Sequence, residues 1–219
     1  MEEYHKIETI YERDTKTKKL LIGKYRNHIV EYLKDNRWIF TEKIDGTNIR
    51  IYYDGHKIQI AGRTDKSLIP DHLLAYLNYL FINEAMEQVF EQLFGEKEVY
   101  LFGEGYGPKI QKDGHKYNNI PSFVVFDIKI NGVYLSYEDM TLLCKQLNLD
   151  YIPIVLIGTI DDSISKVKMH NFSQLAIRNL KRNEDIAYSE GVVGRPLFEL
   201  KDKIGKRIIV KIKYNDFRE

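Results

Sequence analysis

The sequence of 219 residues is short of several features that define large protein classes. Its single cysteine, Cys144, cannot form an internal disulfide, and a cysteine-based zinc site is not expected. No apolar run approaches the roughly 18 residues of a membrane span, and the N-terminus lacks the apolar core of a signal peptide. These absences predict a soluble protein of the reducing cytoplasm, or of the host cytoplasm if the chain is viral.

An excess of charge of one sign is also missing. The chain has 33 basic and 32 acidic side chains, so a globally basic nucleic-acid coat is not expected, whereas a local basic patch is compatible with this balance. Its 5 prolines are scattered singly, and the sequence contains no repeat, low-complexity tract or Gly/Ser-rich linker. We therefore predict one compact domain over residues 1–219.

The periodicity of the apolar residues predicts strands joined by hairpins, with helices in separate blocks. The predicted strands are residues 37–40, 47–53, 57–61, 99–102, 123–130, 152–157, 191–193 and 207–213. Helical spacing covers residues 70–94, as one helix or two broken near Asn83, and residues 136–147 and 171–182. In the strand at 123–130, alternation assigns four apolar residues to one face: Val124, Phe126, Ile128 and Ile130. The pattern predicts an α+β fold with antiparallel sheets.

One segment, Thr41–Asn48, is informative about chemistry. Lys43 ends a predicted strand, and a turn at Asp45 and Gly46 follows at once, so the amine is held at a sheet edge facing a cleft. A lysine amine is a nucleophile only when neutral, and a desolvated site or a nearby cation favours the neutral form. The alternative interpretation of these residues is a surface lysine in a hairpin.

Two acids and two lysines suggest a phosphate or metal site. Glu104 and Glu190 each stand beside glycines at a predicted strand edge, where a ligand can approach the backbone closely. Such carboxylates suit Mg²⁺ or its waters, although singly each is more often a solvated turn acid. Alternation places Lys211 and Lys213 on one face of the last strand, which suits a polyphosphate. A solvated strand face is the alternative for that pair.

Six segments, in order, resemble the motifs of the covalent nucleotidyltransferases, the group of RNA ligases, DNA ligases and mRNA capping enzymes. The segments are Lys43–Asn48, Gly62–Thr64, Phe102–Gly105, Val125–Ile128, Glu190–Pro196 and Val210–Lys213. Together with Glu42 they span nearly the whole chain. Glu42 before the lysine, and Thr47 and Asn48 after the glycine, look more like nick-sealing RNA ligases than like the other two groups.

The resemblance implies a nucleotidyltransferase fold of two antiparallel β-sheets with flanking helices and a nucleotide cleft between them. It also implies an ATP-dependent RNA ligase. Lys43 attacks the α-phosphate of ATP to form a lysyl-AMP intermediate, AMP passes to a 5′-phosphate end, and a 3′-hydroxyl displaces it. The implied cofactors are ATP and Mg²⁺ or Mn²⁺, and the implied partners are RNA ends in a nicked duplex or a broken loop, with no membrane. We expect a monomer.

The same resemblance assigns roles residue by residue. Phe126 stacks on adenine, Glu42 lies by the adenine pocket, and Glu104 lies by the ribose. The residues that contact phosphates are Arg63, Lys211 and Lys213. The acids that face the metal ion, through its waters, are Asp45, Glu104 and Glu190. Phosphoryl transfer depends on such positioning and charge neutralisation, and a metal beside Lys43 also favours its neutral form.

The chain departs from the family pattern in two ways. Many nick-sealing RNA ligases have His where this chain has Asp45, and only six residues follow Lys213, where larger ligases carry an appended domain. The basic stretch from Arg195 to Lys213, with seven Lys or Arg against two acids, or a partner protein, is expected to grip the substrate instead. The alternatives are a minimal DNA ligase or capping-type guanylyltransferase, and a non-catalytic nucleic-acid-binding module on the same fold.

Overall fold

The computed structural model describes residues 1–181 and 185–218. Its strands are β1 (Glu8–Thr9), β2 (Tyr11–Arg13), β3 (Leu20–Tyr25), β4 (Trp38–Lys43), β5 (Thr47–Tyr53), β6 (Ile58–Ala61), β7 (Val99–Tyr106), β8 (Ser122–Ile130), β9 (Val133–Tyr134), β10 (Ile154–Gly158), β11 (Gly191–Pro196) and β12 (Val210–Lys213). Its α-helices are α1 (His28–Tyr32), α2 (Asp71–Phe81), α3 (Glu84–Phe94), α4 (Tyr137–Gln146), α5 (Ile160–Lys168) and α6 (Gln174–Leu180). The predicted helix at 171–182 includes Arg182, which lies outside the described residues.

The α+β prediction is confirmed, and the chain divides into two compact units. The first comprises Met1–His5 with Asp45–Ile152, and the second comprises Lys6–Ile44 with Pro153–Glu219. The chain passes from the second unit to the first between Ile44 and Asp45, immediately after Lys43. The single domain over residues 1–219 stays a prediction. The two units are subdivisions of that range.

The first unit is built on an antiparallel sheet in the order β6-β5-β7-β8-β9. Asn131 and Gly132 form the hairpin turn between β8 and β9, and both have the positive φ that a type I′ turn requires. The helical pattern at 70–94 forms two helices, because the Asn83 side chain accepts a hydrogen bond from the Met86 N–H at 2.9 Å and starts α3. Helices α2, α3 and α4 share one apolar core with this sheet.

The predicted face of β8 is wrong because the strand contains a β-bulge. Phe102 of β7 is opposite Asp127 of β8, and the next residue, Gly103, is opposite Val125, so Phe126 is the extra residue. The bulge reverses the alternation, and the core cluster contains Phe123, Val125 and Ile128 rather than residues of one parity. The sequence does not mark the bulge, since its geometry depends on the pairing with β7.

The second unit is built on a sheet in the order β1-β12-β11-β4-β10, with β2 and β3 in a separate two-stranded sheet. The short pair β1–β12 is parallel, and the other pairs are antiparallel. Val210 and Ile212 of β12 are buried in the core while Lys211 and Lys213 are partly exposed, which confirms the predicted alternation. Helix α5 was not predicted, although Thr159 and Asp162 form a capping box at its start.

No helix within residues 1–181 and 185–218 combines the length and apolar character that crossing a bilayer requires.

Cys144 is fully buried on α4, in the core of the first unit. Burial, with a smaller contribution from the charge of Asp150, raises the pKa of the thiol to about 12. The thiolate is the reactive form, so both exclusion of reagent and the raised pKa suppress reaction. Cys144 is thus a packed thiol of the core.

We expect Cys144 in the folded protein to resist a disulfide-exchange reagent at pH 8, and to react fully after unfolding in guanidinium. The absorbance of the released aromatic thiol measures both states. The variant Thr15→Cys, which places a thiol at an exposed position, is the matched control and should react at once with one additional thiol. Rapid labelling of the wild-type protein under native conditions would contradict the buried position.

Candidate active site

Lys43 lies where the ends of three strands of the second unit meet. It is the last residue of β4 and stands opposite Gly191 of β11, which also stands opposite Lys213 of β12. The Glu190 N–H donates to the carbonyl of Lys43 at 3.0 Å, and the Glu190 carbonyl accepts from the Tyr214 N–H at 3.0 Å. Glu190 is therefore fixed by its backbone on both sides before its carboxylate makes any contact.

Gly191 is required at this junction by space and by backbone conformation. Its φ is +150°, and a Cβ there would lie 2.0 Å from the carbonyl oxygen of Ile212. A side chain at this position would push β12 away from β11. Gly191 thus allows β4 and β12 to pair on either side of β11, so that Lys43 and Lys213 both stand opposite it.

The carboxylate of Glu190 bridges two lysines. One oxygen accepts a hydrogen bond from Nζ of Lys43, and the other forms an ion pair with Nζ of Lys213. Burial alone would raise the pKa of Glu190, but the charge of Lys43 and the hydrogen bonds and charge of Lys213 outweigh it and hold the pKa below its usual value. The structure brings Lys43 into contact with Glu190, 147 positions away in the sequence, and joins both to Lys213.

Lys211 adds a third amine to this group. Burial is the main cause that lowers the pKa of Lys211, and the charges of Lys213, Lys43 and Lys6 lower it further, while Glu190 partly offsets them. Three lysines against one glutamate leave a formal charge of +2, which favours a bound anion such as a polyphosphate. Lys6, in the segment before β1, was not identified from the sequence because no pattern there marks it.

Glu42 occupies the opposite face of β4 from Lys43, as strand alternation requires. Its carboxylate is 2% exposed, and one oxygen accepts a hydrogen bond from the Leu175 N–H at 3.0 Å, at the start of α6. Burial raises the pKa of Glu42, and hydrogen bonds from Ser173 and the α6 backbone partly oppose this. The carboxylate therefore anchors α6, and its predicted place by an adenine stays a prediction.

In the first unit, the turn after Lys43 passes over β7 beside Glu104. A Cβ at Gly46 would lie 2.4 Å from the carbonyl of Gly105 and 2.7 Å from Cγ of Glu104, so only glycine fits this crossing. The backbone N–H of Asp45 donates to the Tyr117 hydroxyl at 3.3 Å. The Asp45–Gly46 turn and Glu104 are thus brought together, 58 residues apart in sequence.

Arg63 lies in an exposed turn whose backbone accepts a hydrogen bond from the buried side chain of Arg50. The Arg50 side chain is completely buried, and Nε donates to the carbonyl of Gly62 at 2.7 Å while Nη2 pairs with Asp65 at 2.8 Å. The hydrogen bond from Arg50 is the main cause that lowers the pKa of Asp65. Arg50 was missed from the sequence, although an arginine on a strand between two isoleucines is a signal for a buried, fully paired cation.

Phe126 is half-buried in the first unit and is the bulged residue of β8. Its ring meets the ring of Tyr4 edge-on, with centroids 5.0 Å apart. A bulge re-aims the side chain that it carries, so Phe126 leaves the core face that its neighbours Val125 and Ile128 share. Its predicted contact with adenine is not tested by this placement.

The predicted metal residues do not form a ready-made cage. Within the two described ranges, no group of three or more His, Cys, Asp or Glu side chains lies close enough together to hold a metal ion. The Glu190 oxygens already accept from two lysines. Hard carboxylate oxygens nevertheless suit a cation that keeps most of its waters. The donor chemistry of Asp45, Glu104 and Glu190 therefore fits contact through metal-bound water, which stays a prediction.

Solved structures of one enzyme from Naegleria gruberi share this fold. They include variants of its RNA ligase with AMP and Mn and with ATP and Mn, and the ligase with PPi. Each superposes with a TM-score of 0.63 and covers 87% of this chain and 53% of that chain, at 19%, 19% and 20% identity respectively. The chain thus spans about half the length of these ligases, and at this identity the likeness shows the fold.

The family is shown by the sequence match. A model of the family described as RNA ligase matches residues 36–213, which is well over half of the chain and contains all six motif segments together with Glu42. The order Lys43, Arg63, Glu104, Phe126, Glu190 and Lys213 lies within that match, on the strands and turns described above. The chain belongs to the RNA ligase family.

Proposed function

We propose that this chain is an ATP-dependent RNA ligase that joins 5′-phosphate and 3′-hydroxyl ends. The observation that carries the proposal is the contact of Lys43 with the Glu190 carboxylate, which also binds Lys213, in a member of the RNA ligase family. The similar Naegleria ligases bind ATP or AMP together with Mn, which supports ATP and a divalent ion as the cofactors here.

In the first step, Nζ of Lys43 attacks the α-phosphorus of ATP. A P–N bond forms, the bond to pyrophosphate breaks, and the amine loses a proton. In the structure the Lys43 amine donates to Glu190, so this ion pair is the resting arrangement and must open for attack. We propose that Glu190, which contacts Nζ, receives the proton that the amine loses.

Lys211 and Lys213 are proposed to bind the phosphates of ATP and later those of the RNA end. They project from the same face of β12, and with Lys43 they give the second unit a formal charge of +2 near Glu190. Glu190 carries one negative charge and cannot neutralise all of these ammonium groups. The oxygens of a triphosphate supply the further acceptors that they need. The following steps move AMP to the RNA 5′-phosphate and then release it as the 3′-hydroxyl attacks.

Four residues of the first unit complete the proposal. Phe126 stacks on adenine, Glu104 lies by the ribose, Arg63 contacts phosphate, and Asp45 faces the metal. The support from the structure is that Arg50 holds the Arg63 turn and that Gly46 brings the Asp45 turn to Glu104. When bound, a Mg²⁺ or Mn²⁺ ion supplies charge that offsets the phosphates and favours neutral Lys43.

The proposed substrate is an RNA end in a nicked duplex or a broken loop, sealed by a monomer. Basic residues between β11 and β12, or a partner protein, are proposed to hold the polynucleotide. The single thiol is buried and unpaired, which is compatible with the reducing cytoplasm as the compartment.

Incubation with ATP and Mg²⁺ should add the mass of one AMP to the protein, at Lys43. Intact-mass measurement and peptide mapping should show the adduct, and Lys43→Ala should not form it. The variant Lys24→Ala, which removes an exposed lysine of β3, should be labelled as the wild type is. Labelling by GTP but not ATP would indicate a capping-type enzyme, and no labelling by either would favour the non-catalytic module.

Lys213→Ala and Lys211→Ala should slow formation of the Lys43 adduct by about tenfold or more each, since one charge-assisted contact of ~1.5–3 kcal/mol is lost. Single-turnover labelling at saturating ATP measures the rate. Lys203→Ala, in the exposed loop before β12, is the control and should retain the wild-type rate. Arg207 is paired with Glu199, so Arg207→Ala should affect labelling less than either lysine variant. Equal rates in all four variants would refute phosphate binding by β12.

EDTA should abolish adduct formation, and with metal present the rate should rise from acidic toward alkaline pH. The sign follows from the chemistry, because the attacking amine must be neutral and loses its proton as the pH rises, while the lowered pKa of Glu190 favours the carboxylate form. Glu190→Gln should lose most of the activity while its circular dichroism and Tm show a folded protein. Full labelling in EDTA, or a rate that falls as pH rises, would disprove this mechanism.

A further inference from the structure

Four aromatic rings of the second unit, those of Phe172, Tyr188, His170 and Tyr214, form a stacked column. Phe172 and Tyr188 stack with centroids 4.6 Å apart, and Tyr188 stacks on His170 at 4.3 Å with an interplanar angle of 16°. His170 in turn stacks on Tyr214 at 3.5 Å and 4°. The guanidinium of Arg218 lies 5.7 Å from the Tyr214 ring centre and covers that end of the column.

The backbone builds the exposed half of this column. Phe172 and Tyr188 form an isolated antiparallel bridge. It is flanked by hydrogen bonds from the Ser173 N–H to the Ala187 carbonyl at 2.8 Å and from the Ser189 N–H to the Asn171 carbonyl at 3.0 Å. Residues opposite each other in such a non-hydrogen-bonded pair have closely spaced side chains. The two rings are therefore preformed as a platform by the backbone pairing of these two segments.

The platform is open to solvent, and the cavity beside it is too small to be the site. Phe172 is 40% exposed and Tyr188 is 47% exposed. The neighbouring cavity, lined in part by Lys166, His170 and Phe172, has a volume of about 30 Å³, which holds about one water molecule. A planar ligand can therefore stack only on the outer surface of the column.

The charge around the platform points to a polyanion. The segment from Ser163 to Lys181 contains four basic residues and no acidic one, in a chain whose net charge is only +1. The basic residues are Lys166, Lys168, Arg178 and Lys181. Exposed stacked rings within a basic segment combine the two features by which proteins bind unpaired nucleic acid: a surface for base stacking and cations for the backbone.

We infer that this column, Phe172-Tyr188-His170-Tyr214, binds an unpaired stretch of RNA, with a base stacked on the exposed Phe172 end and the phosphates beside the lysines of α5. The inference rests on the proposed function only for the choice of RNA as the polymer. It adds a binding surface on four residues that lie outside the motif segments.

The test is the binding of a short fluorescein-labelled single-stranded oligoadenylate, followed by fluorescence anisotropy without ATP or metal. Phe172→Leu and Tyr188→Leu should each weaken binding by roughly 5- to 100-fold, as loss of one stacked base predicts. Tyr188→Phe, which keeps the ring, should bind as the wild type does. Tyr32→Leu removes a tyrosine that is 84% exposed on α1 and is the matched control, with unchanged binding expected.

Salt dependence separates stacking from charge. The two leucine variants should keep the wild-type slope of log affinity against log salt, whereas Lys166→Ala should reduce it by about 0.7 for one lost phosphate contact. Melting temperatures near that of the wild type confirm that the variants fold. Unchanged affinity in both leucine variants, an equal loss in Tyr32→Leu, or blunt-ended duplex RNA binding as tightly as the single strand would overturn the inference.

This assay needs no adenylylation, so its outcome is distinguishable from that of the proposed function. Loss of RNA binding in the ring variants together with a wild-type protein that never forms the Lys43 adduct would overturn the ligase proposal alone. If the wild-type protein forms the Lys43 adduct and the ring variants bind RNA with unchanged affinity, this inference alone would be overturned.

Discussion

The bridging carboxylate of Glu190 is the interaction on which the arrangement of the second unit depends. Without it, Lys43 and Lys213 would present two partly buried ammonium groups at neighbouring strand ends, and their repulsion would oppose the pairing of β11 with β4 and β12. Exposed ion pairs contribute about 0–1 kcal/mol, and removing one partner of a buried pair costs about 3–5 kcal/mol. Glu190, whose side chain is 18% exposed, lies between these cases.

The constraint behind that interaction is steric. Gly191 can approach the backbone of β12 because it has no side chain, and the register that results sets Lys43 and Lys213 on either side of Glu190. The first unit has the same steric constraint, because Gly46 crosses β7 at a distance too short for a residue with a Cβ. In both units, a glycine permits a close backbone approach that positions the reactive side chains beside it. This requirement gives a physical reason for the glycines next to these residues in the motifs.

Much of the fold follows from patterns within single elements. The strand at 47–53 was predicted at its observed bounds, the alternation of Lys211 and Lys213 is observed, and Asn83 separates two helices where the helical pattern weakened. The errors have a different origin. The face of β8 was wrong because a bulge depends on the partner strand β7, and α5 was missed although its capping box was visible in the sequence. The strands β1, β2 and β3 were also missed: β1 and β2 have only two and three residues, and the six residues of β3 do not alternate between apolar and polar.

The sequence by itself determined the motif residues, the local turn at Lys43 and the family, because each depends on residue type and spacing over a few positions. Only the tertiary structure decided which of those residues meet. It joined Glu190 to Lys43 and Lys213, turned Glu42 to the start of α6, and paired buried Arg50 with the loop of Arg63. It also stacked Phe172, Tyr188 and His170. Such contacts depend on strand register and burial across long sequence separations, and neither is encoded in local periodicity.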